Sequence, residues 1–135
     1  DYRAVIFTNQ RCIARGIVCE ETITEMHTNM LREMNKHDVN VDGIYVCPHE
    51  IDFGCDCRKP KPGMLLKAIR DLRNNGLEVN ITGSYLIGDS ETDILAGKSV
   101  GLQGIKIGTY SDIAERTLPN LYECVKWIES NESKK

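Results

Sequence analysis

Three thiols and one imidazole fall within eleven residues: Cys47-x-His49, then Cys55-x-Cys57. Three sulfurs and a nitrogen make a closed tetrahedral set, which suits Zn²⁺ and leaves no coordination position open for catalysis. The spacing therefore predicts a structural zinc whose loop presents the side chains that follow it, Arg58, Lys59 and Lys61. The competing reading is a group of unrelated thiols, or a Cys55–Cys57 disulfide, whose small ring would be strained. Cys12, Cys19 and Cys124 stand outside the set, and Cys124 is assigned to helix packing.

A second constellation is spread along the chain. Thr8-Asn9 brings a hydroxyl and turn amides, Arg58-Lys59 brings cations, and Asp89 and Asp93 bring carboxylates. Phosphoryl transfer needs these parts: donors and cations on the equatorial oxygens, and a carboxylate-held Mg²⁺ that offsets charge. Each is weak evidence alone, since Gly88-Asp89-Ser90 also reads as a turn with a helix cap and Thr-Asn as an ordinary turn. Their common placement gives the set its weight.

That placement follows from the hydrophobic periodicity. Ala4 to Phe7 is a continuous apolar run ending at Thr8-Asn9, as in a strand buried on both faces. From Glu20 the residues Ile23, Met26, Met30 and Met34 recur at steps of three and four, predicting a helix to about Lys36-His37. Val41 to Val46 reads as a strand, and 47–61 as a loop, because its Lys-Pro-Lys-Pro stretch suits neither helix nor central strand. Pro62 opens a helix through Leu65, Ile69 and Leu72 that closes at Asn74-Asn75-Gly76. Tyr85 to Ile87 is a strand, and Ser90 with Asp93 forms the start of a helix running through Ile94 to Val100. Gly104 to Ile107 is a strand, and Leu121 to Ile128, with Val125 and Trp127, a final helix. Strand–helix alternation without a linker or repeat predicts one α/β domain over 1–135, a Rossmann-like parallel sheet with helices on both faces. In such a sheet chemistry collects at the strands' carboxyl ends, where Thr8-Asn9-Gln10, Cys47 and Asp89 all fall.

Composition sets the outer limits. The 135 residues carry 17 basic and 20 acidic side chains, a formal charge of −3, with 41% hydrophobic and 27% charged residues. These are the proportions of an ordinary globular domain, neither fibrous nor disordered. No apolar run approaches the roughly 20 residues of a membrane helix. There is no overall basic field for nucleic acid, so an anionic ligand must meet a local cluster of cations: Arg11, Arg15, Arg58, Lys59 and Lys61. Asp1-Tyr2-Arg3 leads straight into the first apolar run with neither Met nor a signal-like segment, and reads as the interior of a longer chain.

The order Val5-Ile6-Phe7-Thr8-Asn9-Gln10, Ile13-Ala14-Arg15-Gly16, Cys47-Pro48-His49, Cys55-Asp56-Cys57-Arg58-Lys59-Pro60-Lys61-Pro62-Gly63-Met64 and Ile87-Gly88-Asp89-x-x-x-Asp93 resembles the haloacid dehalogenase (HAD) superfamily. More narrowly, it is similar to the heptose bisphosphate phosphatases and their histidinol-phosphate relatives. The resemblance implies that Thr8 binds the transferring phosphoryl, with Asn9 and Gln10 beside it, and that Lys59 holds phosphoryl and nucleophile together. It implies that Arg58 contacts the substrate's phosphate, that Asp89 ligates Mg²⁺ with Asp93 in support, and that Cys47, His49, Cys55 and Cys57 hold zinc. Ile13-Ala14-Arg15-Gly16 favours the heptose branch, with Arg15 and Ser90 on the substrate side.

The chain departs from that pattern in three places. Arg11-Cys12 stands where the heptose branch has Ser-Gly, and Ser90 where it often has Lys; both changes touch the substrate side. The first motif, Asp-x-Asp-Gly-Thr, is absent from the 135 residues. In the family it supplies the nucleophilic Asp and the Asp acting as general acid and base. It also ends the central strand of the sheet, and Asp1, at the wrong end of its strand, does not replace it. The expectations are therefore a sheet lacking its central first strand, a nucleophile supplied by a further segment or a strand-sharing partner, and a chain inactive alone. The activity expected of the complete protein is cytoplasmic, Mg²⁺-dependent hydrolysis of a sugar phosphomonoester, the 7-phosphate of a heptose 1,7-bisphosphate. The alternatives are histidinol-phosphate phosphatase and an inactive zinc-stabilised binding module; polynucleotide 3′-phosphatase activity would want a broader basic surface.

Overall fold

The apolar runs become strands and the three–four periodic segments become helices, in the order β1 (Val5–Asn9), α1 (Glu20–Asn35), β2 (Gly43–Cys47), α2 (Gly63–Asn74), β3 (Tyr85–Gly88), α3 (Glu91–Ser99), β4 (Gln103–Ile107), β5 (Arg116–Leu118) and α4 (Leu121–Glu132). This computed structural model describes residues 2–133, so Asp1 lies outside the described residues. The chain divides into two compact units, Asp1–Arg58 with Gly63–Glu78, and Lys59–Pro62 with Val79–Lys135. Among the described residues no helix is long and apolar enough to cross a membrane.

In the first unit β1 and β2 pair in parallel, with Thr8 opposite Val46 and Asn9 opposite Cys47. The pairing continues one step past the strands, where the Gln10 amide donates to the Cys47 carbonyl at 2.8 Å. β2 is the only strand paired with β1 among the described residues, and β1 is half-buried along its length rather than buried on both faces. α2 packs on these strands and buries Met64, Leu65 and Ala68. α1 departs from the expected stripe: Ile23 is buried and Met30 and Met34 are half-buried, but Met26 is exposed. Met26 lies about 60° round the helix from Ile23, given 100° per residue, at the edge of the covered face.

The second unit is a parallel sheet in the order β3-β4-β5. Its central strand explains the burial of Gly104, Ile105 and Lys106. Alternate residues of a strand face opposite sides, and each side here has its helix. α3 lies on one face so closely that a Cβ on Gly104 would meet Ile94 at 2.9 Å and one on Gly97 would meet Leu86 at 2.9 Å. α4 covers the other, where Cys124 and Ile128 pack with Ile105 against Tyr85, Ile87, Ile107 and Leu118. Full burial of each aliphatic side chain contributes about 1.5–3 kcal/mol. Cys124 is wholly buried as helix packing requires, whereas Val125 faces solvent. β5 was not visible in the periodicity: three residues, Arg116-Thr117-Leu118, are too few to show a period and run straight into Pro119.

Candidate active site and metal centre

The metal cluster lies wholly in the first unit. The Sγ atoms of Cys47, Cys55 and Cys57 and a ring nitrogen of His49 lie within 4.8 Å of one another. Cys47 Sγ is 3.6 Å from Cys55 Sγ, 2.9 Å from Cys57 Sγ and 3.6 Å from His49 Nδ1, and His49 Nδ1 is 3.2 Å from Cys57 Sγ. Tetrahedral Zn²⁺ with bonds of about 2.3 Å to sulfur and about 2.0–2.1 Å to nitrogen holds its ligands some 3.5–3.8 Å apart. The donor set therefore fits the ion, with its closest pair, Cys47 and Cys57 at 2.9 Å, having to open by about 0.9 Å. None of the six cysteines is in a disulfide.

The loop is built to bring these donors together. Cys47 ends β2 and is fully buried. Glu50 caps the single 3-10 turn Ile51–Phe53, its carboxylate accepting from the Ile51 amide, and Gly54 reverses the chain at φ +78°. The Phe53 ring stacks on His49, centroids 4.3 Å apart. Burial pushes the Cys57 thiol up to about 12, reinforced by hydrogen bonds and charge from Cys47 and Cys55. Burial also raises Cys55, but the Arg58 amide and the neighbouring sulfurs outweigh it and bring that thiol down to about 6. Ligands to a cation must be deprotonated, so metal binding at this cluster would release protons.

Thr8 and Asn9 stand at the carboxyl end of β1, half-buried, and Gln10 follows them. Arg15 is exposed; its Nε and Nη2 donate to Glu50 Oε2 and Oε1 at 2.5 and 3.3 Å, and Arg11 Nη1 lies 4.0 Å from the same carboxylate. The hydrogen bond from Arg15 holds the Glu50 carboxyl down at about 2. Arg58 Nη1 donates to the His49 carbonyl at 3.2 Å.

The second unit holds Lys59, Asp89, Ser90 and Asp93. β3 ends at Gly88 and exposes Asp89, while Ser90 and Asp93 form the capping box of α3: the Asp93 amide donates to Ser90 Oγ at 3.3 Å and the Ser90 amide to Asp93 Oδ2 at 3.1 Å. The other oxygen, Asp93 Oδ1, faces Lys59 Nζ at 2.5 Å, with the two side chains 7% and 13% exposed. Burial opposes ionisation of Asp93, yet Lys59 and the Ser90 amide together hold its carboxyl below the ordinary range. Both oxygens of Asp93 are thus engaged within the unit, whereas Asp89, at the end of β3, is exposed.

Three residues escaped sequence reasoning. Glu50 stands directly after a candidate ligand, but its two arginine neighbours, Arg11 and Arg15, meet it only through the fold. Lys106 sits buried in an apolar strand, its ammonium donating to the carbonyls of Ile107 and Thr109 and to Thr109 Oγ1 at 3.1–3.3 Å. Ser111, also buried, donates to Glu91 Oε2 at 3.0 Å and accepts from the amides of Ile113 and Ala114. Nothing in their spacing announced either; both tie down the loop after β4.

Known proteins share this order of residues and this fold. A family model described as HAD-hydrolase-like matches residues 56–119. The chain is 39% identical over 108 residues to the D-glycero-β-D-manno-heptose-1,7-bisphosphate 7-phosphatase of Pasteurella multocida, covering 76% of this chain and 56% of that protein. It is 41% identical over 102 residues to the protein of the same name from Haemophilus influenzae, covering 71% and 53%. The chain thus spans about half the length of these curated relatives. The crystal structure of D,D-heptose 1,7-bisphosphate phosphatase from B. bronchiseptica, complexed with magnesium and phosphate, superposes with a TM-score of 0.83 at 29% identity, covering 97% of this chain and 76% of that one. Parallel strands, strand-end residues and sequence likeness agree, and the chain resembles the HAD-like hydrolases in sequence and fold.

Proposed function

We propose that the chain forms the greater part of a phosphatase that removes the 7-phosphate of a D-glycero-D-manno-heptose 1,7-bisphosphate. The observation that carries this reading is the identity of about 40% to curated enzymes of that name over most of the chain. The Thr8 hydroxyl donates to the transferring phosphoryl, with Asn9 beside it. Lys59, its ammonium oriented by Asp93, offsets charge as the phosphoryl moves. Gln10, Arg15, Arg58 and Ser90 hold the rest of the substrate. Asp89 holds Mg²⁺, which when bound neutralises phosphoryl charge. The thiolates and imidazole of Cys47, Cys55, Cys57 and His49 hold a structural Zn²⁺ that keeps Arg58 in place.

The 135 residues contain no Asp-x-Asp-Gly-Thr, so the nucleophile that would form the aspartyl-phosphate, and its acid–base partner, come from outside them, from a further segment or from a partner chain sharing a strand. By itself the chain is then inactive. Residues 1–135 belong to one catalytic core in this reading, and the compartment proposed for it is the cytoplasm. The test is to join the chain to a segment carrying that motif and to measure phosphate release. Release should appear, depend on Mg²⁺, and vanish when the motif's first Asp is changed to Asn. Activity surviving that change refutes the assigned chemistry.

A further inference from the structure

Segment 10–18, which follows β1, is attached to the metal loop at two points. At its start the Gln10 amide donates to the carbonyl of Cys47, itself one of the four cluster residues, at 2.8 Å. Further along, the Arg15 guanidinium meets Glu50 through two nitrogens and both carboxylate oxygens, at 2.5 and 3.3 Å. Between these points the segment is a series of tight turns, with Arg15 N to Arg11 O and Ile17 N to Cys12 O at 3.1 and 3.0 Å, and Gly16 at φ +63°. Glu50 in turn has little freedom. It follows His49 directly, its carboxylate caps the Ile51 amide at 3.1 Å, and the His49 ring before it is stacked on Phe53.

We propose that Glu50 is a positioning residue for Arg15: the ordered metal loop fixes Glu50, whose carboxylate grips the guanidinium in a fork, so metal occupancy sets where this cation stands. The inference rests on the reading of Arg15 as a substrate-side residue and adds what holds it there. A bidentate fork fixes orientation as well as distance, which a lysine or a single contact would not do. Arg11, 4.0 Å from the same carboxylate, joins the group and leaves two cations around one anion. The patch keeps a net positive charge suited to a phosphorylated or otherwise anionic portion of the substrate. Binding couplings are reciprocal, so if metal orders Arg15, the Arg15–Glu50 fork must also favour metal binding, by about two- to fivefold for a pair this exposed.

The test uses the ¹⁵N-labelled chain with Zn²⁺ as the probe, and reads the Nε–Hε signal of Arg15, assigned by its loss in Arg15→Lys. With zinc the signal should stand apart from those of the other arginines and exchange slowly. Removing the metal with a chelator, or changing Glu50→Gln with zinc present, should return it to the pool of solvated arginines. A signal indifferent to both changes overturns the proposal. Zinc affinity, measured by chelator competition, gives a second readout. Positioning predicts that Arg15→Gln and Glu50→Gln each weaken zinc about two- to fivefold and that the double variant is no worse than either. Simple charge effects would move the two single variants in opposite directions and sum to nearly nothing in the double, which would also overturn it. The underlying reading fails separately: Arg15→Gln leaving KM unchanged in the active enzyme removes Arg15 from the substrate side, whatever the spectrum shows.

Discussion

The pair Lys59–Asp93 joins stability to chemistry in the second unit and can be taken apart in steps. Asp93 has two engagements: one oxygen accepts from the Ser90 amide in the capping box, and the other faces the Lys59 ammonium at 2.5 Å. Asp93→Asn keeps an oxygen for the cap and removes the charge, whereas Asp93→Ala removes both. Breaking a buried ion pair costs about 3–5 kcal/mol because the remaining charge stays buried. At 13% exposure Lys59 keeps some contact with water, which favours the lower end, about 3 kcal/mol, for Asp93→Asn. Loss of the cap adds about 1 kcal/mol, so Asp93→Ala should cost about 4 kcal/mol. That is a large share of the 5–15 kcal/mol typical of a domain. The assay is urea unfolding of the two Asp93 variants, of Lys59→Met and of the Lys59→Met/Asp93→Asn double variant. The double should be no less stable than the worse single, with a coupling of about 2 kcal/mol or more. The pH dependence has a fixed sign: Asp93's folded value lies below its unfolded one, so the pair's contribution is complete above the ordinary carboxylate range of about 3.9 and is lost as pH falls through the lower folded value. Additive single variants, or an Asp93→Asn cost under about 0.5 kcal/mol, would refute the claim that Asp93 holds Lys59.

Three further outcomes follow from the geometry. Gly63→Ala would place a Cβ 2.3 Å from the Asp56 carbonyl oxygen, which already accepts from the Gly63 amide at 2.9 Å, so the metal loop must shift and zinc affinity should fall at least tenfold in chelator competition. Gly88→Ala would bring a Cβ within 2.4–2.6 Å of the Asp93 side chain, displacing the cap of α3; thermal unfolding should show a loss of about 2 kcal/mol or more, whereas an unchanged midpoint would mean the turn relaxes freely. Cys55→Ser should cut metal-dependent stabilisation of the first unit by several kcal/mol without altering the stability of the chelator-treated chain by more than about 1 kcal/mol, as seen by unfolding with and without zinc.

Much of this was readable from residue types and spacing. The α2 boundaries followed from Pro62 and Gly76, the α3 start from the Ser90–Asp93 spacing, and the metal cluster from four donors in eleven residues. These are local signals, in which a few neighbouring residues fix both chemistry and conformation. What stayed hidden depends on contacts distant in sequence. β5 exists because Ile105–Ile107 offers an edge to three residues with little propensity of their own. The burial of Lys106 depends on the carbonyls of Ile107 and Thr109 as acceptors, an arrangement that its place in an apolar run does not announce. Met26 followed the helical period but lies at the edge of the covered face and is exposed. The Arg15–Glu50 fork spans 35 residues, and no periodicity connects its members.

The central claim is the reaction itself, and the most direct test is side-by-side hydrolysis by the chain completed with an Asp-x-Asp-Gly-Thr segment. D-glycero-D-manno-heptose 1,7-bisphosphate and histidinol phosphate would be compared under one Mg²⁺ concentration, with the site of cleavage followed by ³¹P NMR. The account predicts loss of the 7-phosphate, retention of the 1-phosphate and a kcat/KM for the heptose at least tenfold above that for histidinol phosphate. Preference for histidinol phosphate, cleavage at the 1-position, or no Mg²⁺-dependent release from either substrate would contradict it.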